Sequence, residues 1–136
     1  MIKLVIFDLD GVLVDACEWH RISLNHALKD VCGYEISLKD HISTFNGLPT
    51  RTKLQKLTDM GVISIDDHEA IYIKKQSLAV QTIKDNTKID NTKISLMEYL
   101  KANGCLIACF TNSIRETTFL MLKKTGILDY LDAVVT

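Results

Sequence analysis

The sequence predicts an α/β fold: a parallel sheet of three core strands with a mostly helical insert between the first and second. Three observations carry this. An apolar run over residues 2–8 ends in two acids, Asp8 and Asp10, followed by Gly11. A second apolar run, Cys105 to Phe110, ends in Thr111-Asn112-Ser113 and opens into a helical pattern. Between the two runs, residues 16–84 show helical rather than alternating periodicity.

The first strand is predicted at residues 2–8, apolar on both faces as in a buried parallel sheet. Leu24, Ala27, Leu28 and Val31 recur at i, i+3, i+4 and i+7, which predicts a helix over 16–31, with Gly33 as its stop. Residues 38–45 suggest a short helix and Asn46-Gly47 a turn. Pro49, the only proline, suits the first turn of a helix running to about Met60, with Leu54 and Leu57 inward and Gly61 beyond it. Asp66 and Glu69 have capping-box spacing and open a longer helix to about Lys84, with Ala70, Ile73, Val80 and Ile83 on one side. Residues 84–93 turn polar, with Asp-Asn-Thr-Lys written twice, and read as a solvated connector. A helix over 93–103 follows, with Leu96, Met97 and Leu100 inward and Gly104 at its end. After the second strand, Ser113 and Glu116 have the spacing of a capping box for a helix over 114–124, closed by Gly126. Ala133 to Thr136 begins a third strand. The expected division is an α/β core of residues 1–15 and 85–136 and a helical cap of residues 16–84.

Composition narrows the function. The chain has 136 residues, 47% hydrophobic and 24% charged, an ordinary globular mixture. A formal net charge of −1 gives no electrostatic case for nucleic acid or an anionic membrane. No apolar run reaches the ~18 residues of a membrane span. The first apolar run is short and carries Asp8 and Asp10, unlike a signal peptide. Cys17, Cys32, Cys105 and Cys109 include no Cys-x-x-Cys pair, so neither zinc nor thioredoxin-like chemistry is indicated. Cys105 and Cys109 read as small core residues, and four scattered thiols fit a reducing, cytoplasmic setting. His26, His41 and His68 lack ligand-like spacing and read as structural or exposed. Lys74-Lys75 reads as a solvated face.

Side chains alternate faces along a strand, so Asp8 and Asp10 begin on one side at its carboxyl end. Gly11 lets the backbone turn away there. Two crowded carboxylates are costly unless a cation or a shared proton relieves them, which points to a metal site. A pair of solvated acids in a turn would share the spacing.

Asp8-Leu9-Asp10-Gly11-Val12-Leu13-Val14-Asp15 closely resembles the first motif of the haloacid dehalogenase (HAD) superfamily. The resemblance implies a HAD-like Rossmannoid parallel sheet with an inserted helical cap. It also implies Asp8 as the nucleophile that forms an aspartyl-phosphate, Asp10 as general acid and base, and Mg²⁺ bound at Asp8 and Asp10. That assignment agrees with elementary chemistry, since a carboxylate can attack a phosphoryl group only where a cation offsets the repulsion.

Phe110-Thr111-Asn112-Ser113 is similar to the second motif of that superfamily. A hydroxyl, an amide and free backbone N–H groups at a helix start can cradle phosphate, although Thr-Asn-Ser is also common cap chemistry. The resemblance implies that Thr111 binds a phosphoryl oxygen and that Asn112 places the transferred group. Asp15 to His20 and Asn46 to Thr50 resemble the β-phosphoglucomutase and phosphoglycolate phosphatase branch. There His20 would assist proton positioning, with a surface or hinge histidine as the other reading. Arg51 lies near a cap position that grips substrate phosphate in some members, offset by one residue from the usual place.

The superfamily also uses a motif III lysine and a motif IV acidic pair, which in this branch follow the third strand. Here the sequence stops within that strand and contains no Lys-Pro. Lys123 and Lys124 are loose candidates on the helix after motif II. Asp129 and Asp132 precede the third strand, at the wrong end of the sheet. The expectation is a truncated member, or one that takes a strand from another chain, with Ile2, Leu4, Val5 and Ile6 on an open edge. The expected function is Mg²⁺-dependent hydrolysis of a small phosphorylated metabolite. The alternatives are a sugar-phosphate mutase and a non-catalytic form that self-associates through the open edge. A receiver-type phospho-acceptor is disfavoured by the Asp-x-Asp-Gly spacing and the long insert.

Overall fold

β1 (Leu4–Phe7), β2 (Leu106–Phe110) and β3 (Ala133–Val135) form one parallel sheet in the order β1-β2-β3 in the computed structural model, which describes residues 1–136. Leu4 pairs with Leu106 and Phe7 with Cys109; Ala108 pairs with Ala133 and Phe110 with Val135. Parallel neighbours need long crossovers. The first crossover carries the whole helical insert. The second is α6 (Arg115–Thr125) and a 3₁₀ turn, Leu128–Tyr130. The three predicted strands are all present, each shorter than its apolar run.

Two compact units result: residues Met1–Cys17 with Ile83–Thr136, and residues Glu18–Thr82. In the α/β unit, α5 (Asn91–Ala102) and α6 supply the core through Met97, Met121 and Leu122, all fully buried with Ile107 and Cys109 of β2. Burying each such side chain contributes about 1.5–3 kcal/mol. Asp132 closes this layer, its Oδ2 accepting from Ile107 N–H at 2.7 Å and pairing with Lys101.

The other face of the sheet corrects the expectation of burial on both sides. Leu4, Ile6, Leu106 and Phe110 are 50%, 61%, 55% and 61% exposed, with Val135 beside them. The register puts these side chains on one face, and both helices pack on the opposite one. β1 also keeps one edge unpaired.

The helical unit is built from α1 (Cys17–Cys32), α2 (Leu38–Asp40), a π-helical turn (His41–Phe45), α3 (Thr50–Asp59), a 3₁₀ turn (Ile65–Asp67) and most of α4 (His68–Asn86). Leu24, Ala27, Leu28, Ile36, Phe45, Leu54, Leu57, Ile63 and Ile71 form its core. Asn25 pins the chain after α1: its Nδ2 donates to Ile36 O at 2.9 Å, and its Oδ1 accepts from Ile36 N–H at 3.0 Å.

Several local expectations change. Ser64, not Asp66, caps the turn before α4, accepting from Asp66 N–H. The buried side of α4 is Ile71, Lys75, Ala79 and Ile83, while Ala70 and Ile73 face solvent. Lys75 therefore belongs to the buried stripe and not to a solvated face. The polar connector shrinks to residues 87–90, because α4 runs to Asn86 and Asp90 caps α5 through Lys93 N–H. Leu96 on α5 is exposed.

Candidate active site

Asp8 and Asp10 follow the last residue of β1, and Thr111, Asn112 and Ser113 follow the last residue of β2. In a parallel sheet these are both carboxyl ends, where open α/β sheets place their ligands. Asp8 Oδ1 accepts from Leu9 N–H at 2.7 Å. Leu9 is fully buried, and its carbonyl accepts from the N–H groups of Leu13 and Val14. Gly11 carries φ +78° and donates to Val14 O at 2.7 Å, closing a tight loop. Positive φ strains any residue with a Cβ, which accounts for glycine directly after the second acid.

The two motifs meet through Ser113. Its Oγ donates to Asp10 Oδ2 at 2.6 Å, across a sequence separation of 103 residues. Its N–H donates to Thr111 Oγ1 at 3.1 Å. Thr111 is buried, and its N–H donates to Val135 O of β3. The expected capping box is absent: Ile114 occupies the N-cap of α6 and makes no side-chain cap bond. A serine cap is worth about 1 kcal/mol, so the hydroxyl is engaged by a carboxylate at the expense of the helix end.

Electrostatics agree with this placement. Burial first, and then the negative charges of Asp8 and Asp10, together push the Cys109 thiol up to about 11. Cys109 sits one residue before the end of β2, so both carboxylates lie over that end of the sheet.

Magnesium is commonly held by one or two carboxylates, with water and phosphate oxygens completing an octahedron. Asp8 and Asp10 are hard oxygen donors of the kind that suits the ion. No group of three or more His, Cys, Asp or Glu side chains forms a metal nest in the chain. Lys123 and Lys124 lie in the last turn of α6, whereas the Thr111 loop precedes its first.

The other two candidates belong to the helical unit. His20 Nδ1 lies 3.5 Å from Lys75 Nζ. Arg51 pairs with Glu69 at 3.2 Å, and its guanidinium lies 4.0 Å from the Tyr72 ring centroid. Sequence reasoning missed Ser113 as a partner of Asp10, for which no local signal exists. It also missed Lys75, although the i, i+4, i+8, i+12 slots of Ile71, Ala79 and Ile83 would have placed it inward. His41 is buried against Asn25, and His68 bonds Thr58.

Residues 5–136 match the family model described as haloacid dehalogenase-like hydrolase. The chain is 27% identical over 139 residues to a phosphoglycolate phosphatase of Nitrosospira multiformis, covering 99% of this chain and 60% of that protein. It is 24% identical over 140 residues to the pyrophosphatase PpaX of Bacillus velezensis, covering 97% and 58%. Among solved structures, β-phosphoglucomutase from Clostridium difficile superposes with a TM-score of 0.81 at 25% identity, covering 98% of this chain and 61% of that one. The chain thus spans 60% or less of the length of these two curated relatives. No helix is long and apolar enough to cross a membrane. The chain belongs to the haloacid dehalogenase-like hydrolase family.

Proposed function

We propose that this chain carries the nucleophile and the acid–base residue of a phosphohydrolase acting on a small phosphorylated metabolite. A carboxylate oxygen of Asp8 attacks phosphorus, and the P–O bond to the leaving group breaks. Asp10, protonated at that moment, gives its proton to the departing oxygen. Asp10 then takes a proton from water, whose oxygen attacks phosphorus and releases orthophosphate from Asp8. Thr111 and Asn112 hold the phosphoryl oxygens. Mg²⁺ bound by Asp8 and Asp10 would neutralise charge on the phosphoryl group.

The observation that supports this most is the Ser113–Asp10 bond, which ties the acid–base carboxylate to the Thr111 turn. The names of the relatives, a phosphoglycolate phosphatase and a pyrophosphatase, agree with phosphate-ester or anhydride chemistry. We propose substrate-contacting roles for His20 and Arg51 of the helical unit. The Arg51–Glu69 pair is exposed on both sides. Exposed pairs of this kind are worth about 0–1 kcal/mol, so substrate phosphate can draw Arg51 away at little cost. A mutase differs only in passing the phosphoryl group to a second hydroxyl instead of water.

A panel of phosphate esters with Mg²⁺ tests the proposal, with Asp8→Asn as control. Mg²⁺-dependent phosphate release that disappears on chelation and in the variant supports it. Release that survives Asp8→Asn rejects it.

One observation favours a second reading, self-association without turnover. Leu4, Ile6, Leu106, Phe110 and Val135 form a bare apolar face beside an open strand edge, and such edges template pairing. Sedimentation velocity over a concentration series separates the readings: a monomer at every concentration removes the second.

A further inference from the structure

We propose that Ser113 is a positioning residue that sets the hydrogen-bond polarity of the site, an inference that rests on the phosphoryl-transfer reading above. Its hydroxyl donates to Asp10 Oδ2 at 2.6 Å, and its backbone N–H donates to Thr111 Oγ1 at 3.1 Å. A hydroxyl has one proton to give and two lone pairs to receive. The Ser113 N–H occupies a lone pair of the Thr111 oxygen, which leaves the Thr111 proton to be donated outward to an anion. The Ser113 proton is directed at Asp10, which holds that carboxylate in one orientation through one of its two oxygens. A single residue thus makes the Thr111 side of the site a donor and fixes the acceptor on the Asp10 side.

The two contacts use different groups of Ser113, so they separate by mutation. Ser113→Ala removes the hydroxyl and keeps the N–H. The Thr111 donor is retained and the hold on Asp10 is lost. Ser113→Thr keeps a hydroxyl on the same carbon, and Ser113 is half-buried. A role confined to the start of α6 would change stability alone.

The test uses the full chain with Mg²⁺ and p-nitrophenyl phosphate, together with ¹³C NMR of the aspartate carboxyls at one fixed pH. Asp10→Asn assigns the Asp10 signal. In Ser113→Ala, kcat falls about 10- to 100-fold, as expected for losing a hydrogen bond to a charged group, while KM stays within about twofold. Ser113→Thr recovers most of kcat. The Asp10 carboxyl resonance moves in Ser113→Ala and returns in Ser113→Thr. The NMR arm decides the matter even where no turnover is measured. An unmoved Asp10 resonance in Ser113→Ala, or a Ser113→Thr variant as poor as Ser113→Ala, overturns the inference. Asp8→Asn keeps the two failures apart. If turnover survives Asp8→Asn, the functional reading fails. If Asp8→Asn is inactive and Ser113→Ala matches wild type in both arms, only the role of Ser113 fails.

Discussion

Acidification should loosen the helical unit through one residue, His41. The residue is 5% exposed, and its ring packs edge-on against Phe45 and brings Nε2 to 3.4 Å from Asn25 Oδ1. Burial first, and then the positive charges of Lys53 and Arg21, hold its pKa down at about 4 against an ordinary value of 6.5, with Glu18 and Asp40 pulling the other way. Between pH 4 and 6.5 the unfolded chain therefore binds a proton that the folded chain excludes. Stability is complete above pH 6.5 and is lost as pH falls towards 4. At about 1.4 kcal/mol per pKa unit, the loss attributable to His41 is about 3 kcal/mol. The perturbation is His41→Gln, which keeps an amide donor near Asn25 and does not titrate. Trp19, the single tryptophan, lies in α1, so its fluorescence during urea unfolding reports on the helical unit. Subtracting the variant from wild type at each pH cancels the other groups. The difference should favour wild type most at pH 7.5 and shrink by about 3 kcal/mol by pH 4. A difference that stays constant over that range would refute a neutral, buried His41.

Two further outcomes test the packing. Leu57→Ala should cost about 2–5 kcal/mol by the same Trp19 signal, because Leu57 is fully buried in the helical core; a loss under about 1 kcal/mol would contradict that burial. Gly126→Ala should destabilise the α/β unit by about 1–2 kcal/mol, since Gly126 closes α6 at φ +84°. The added Cβ would also stand 3.0 Å from Ile94 Cδ1, and a neutral result by thermal unfolding would argue against this helix end.

What the sequence made legible is what depends on short-range rules. The turn at Gly11, the stop at Gly126 and the inward Met97 follow from backbone sterics and helical period. The two halves of the site were legible because each is a strand followed by chemistry-bearing residues. The contact that joins them was not, because Ser113 and Asp10 are 103 residues apart and the cap pattern offered Ser113 a local use. Long-range competition defeated the local motif. The bare face escaped for a related reason: apolar residues on both sides of a strand predict two covering layers, and in this chain both helices pack on one side. Lys75 shows the limit of residue-type reasoning, since its position in the α4 stripe outweighed its charge.

Asp8 is the residue that takes the phosphoryl group in the proposed reaction. Borohydride reduction of the protein quenched during turnover with Mg²⁺ and a phosphate ester converts an aspartyl-phosphate to homoserine, which peptide mass spectrometry can locate. Homoserine at position 8, absent in Asp8→Asn, is the predicted result. Continued phosphate release with aspartate intact at position 8, or reduction at another residue, would contradict it.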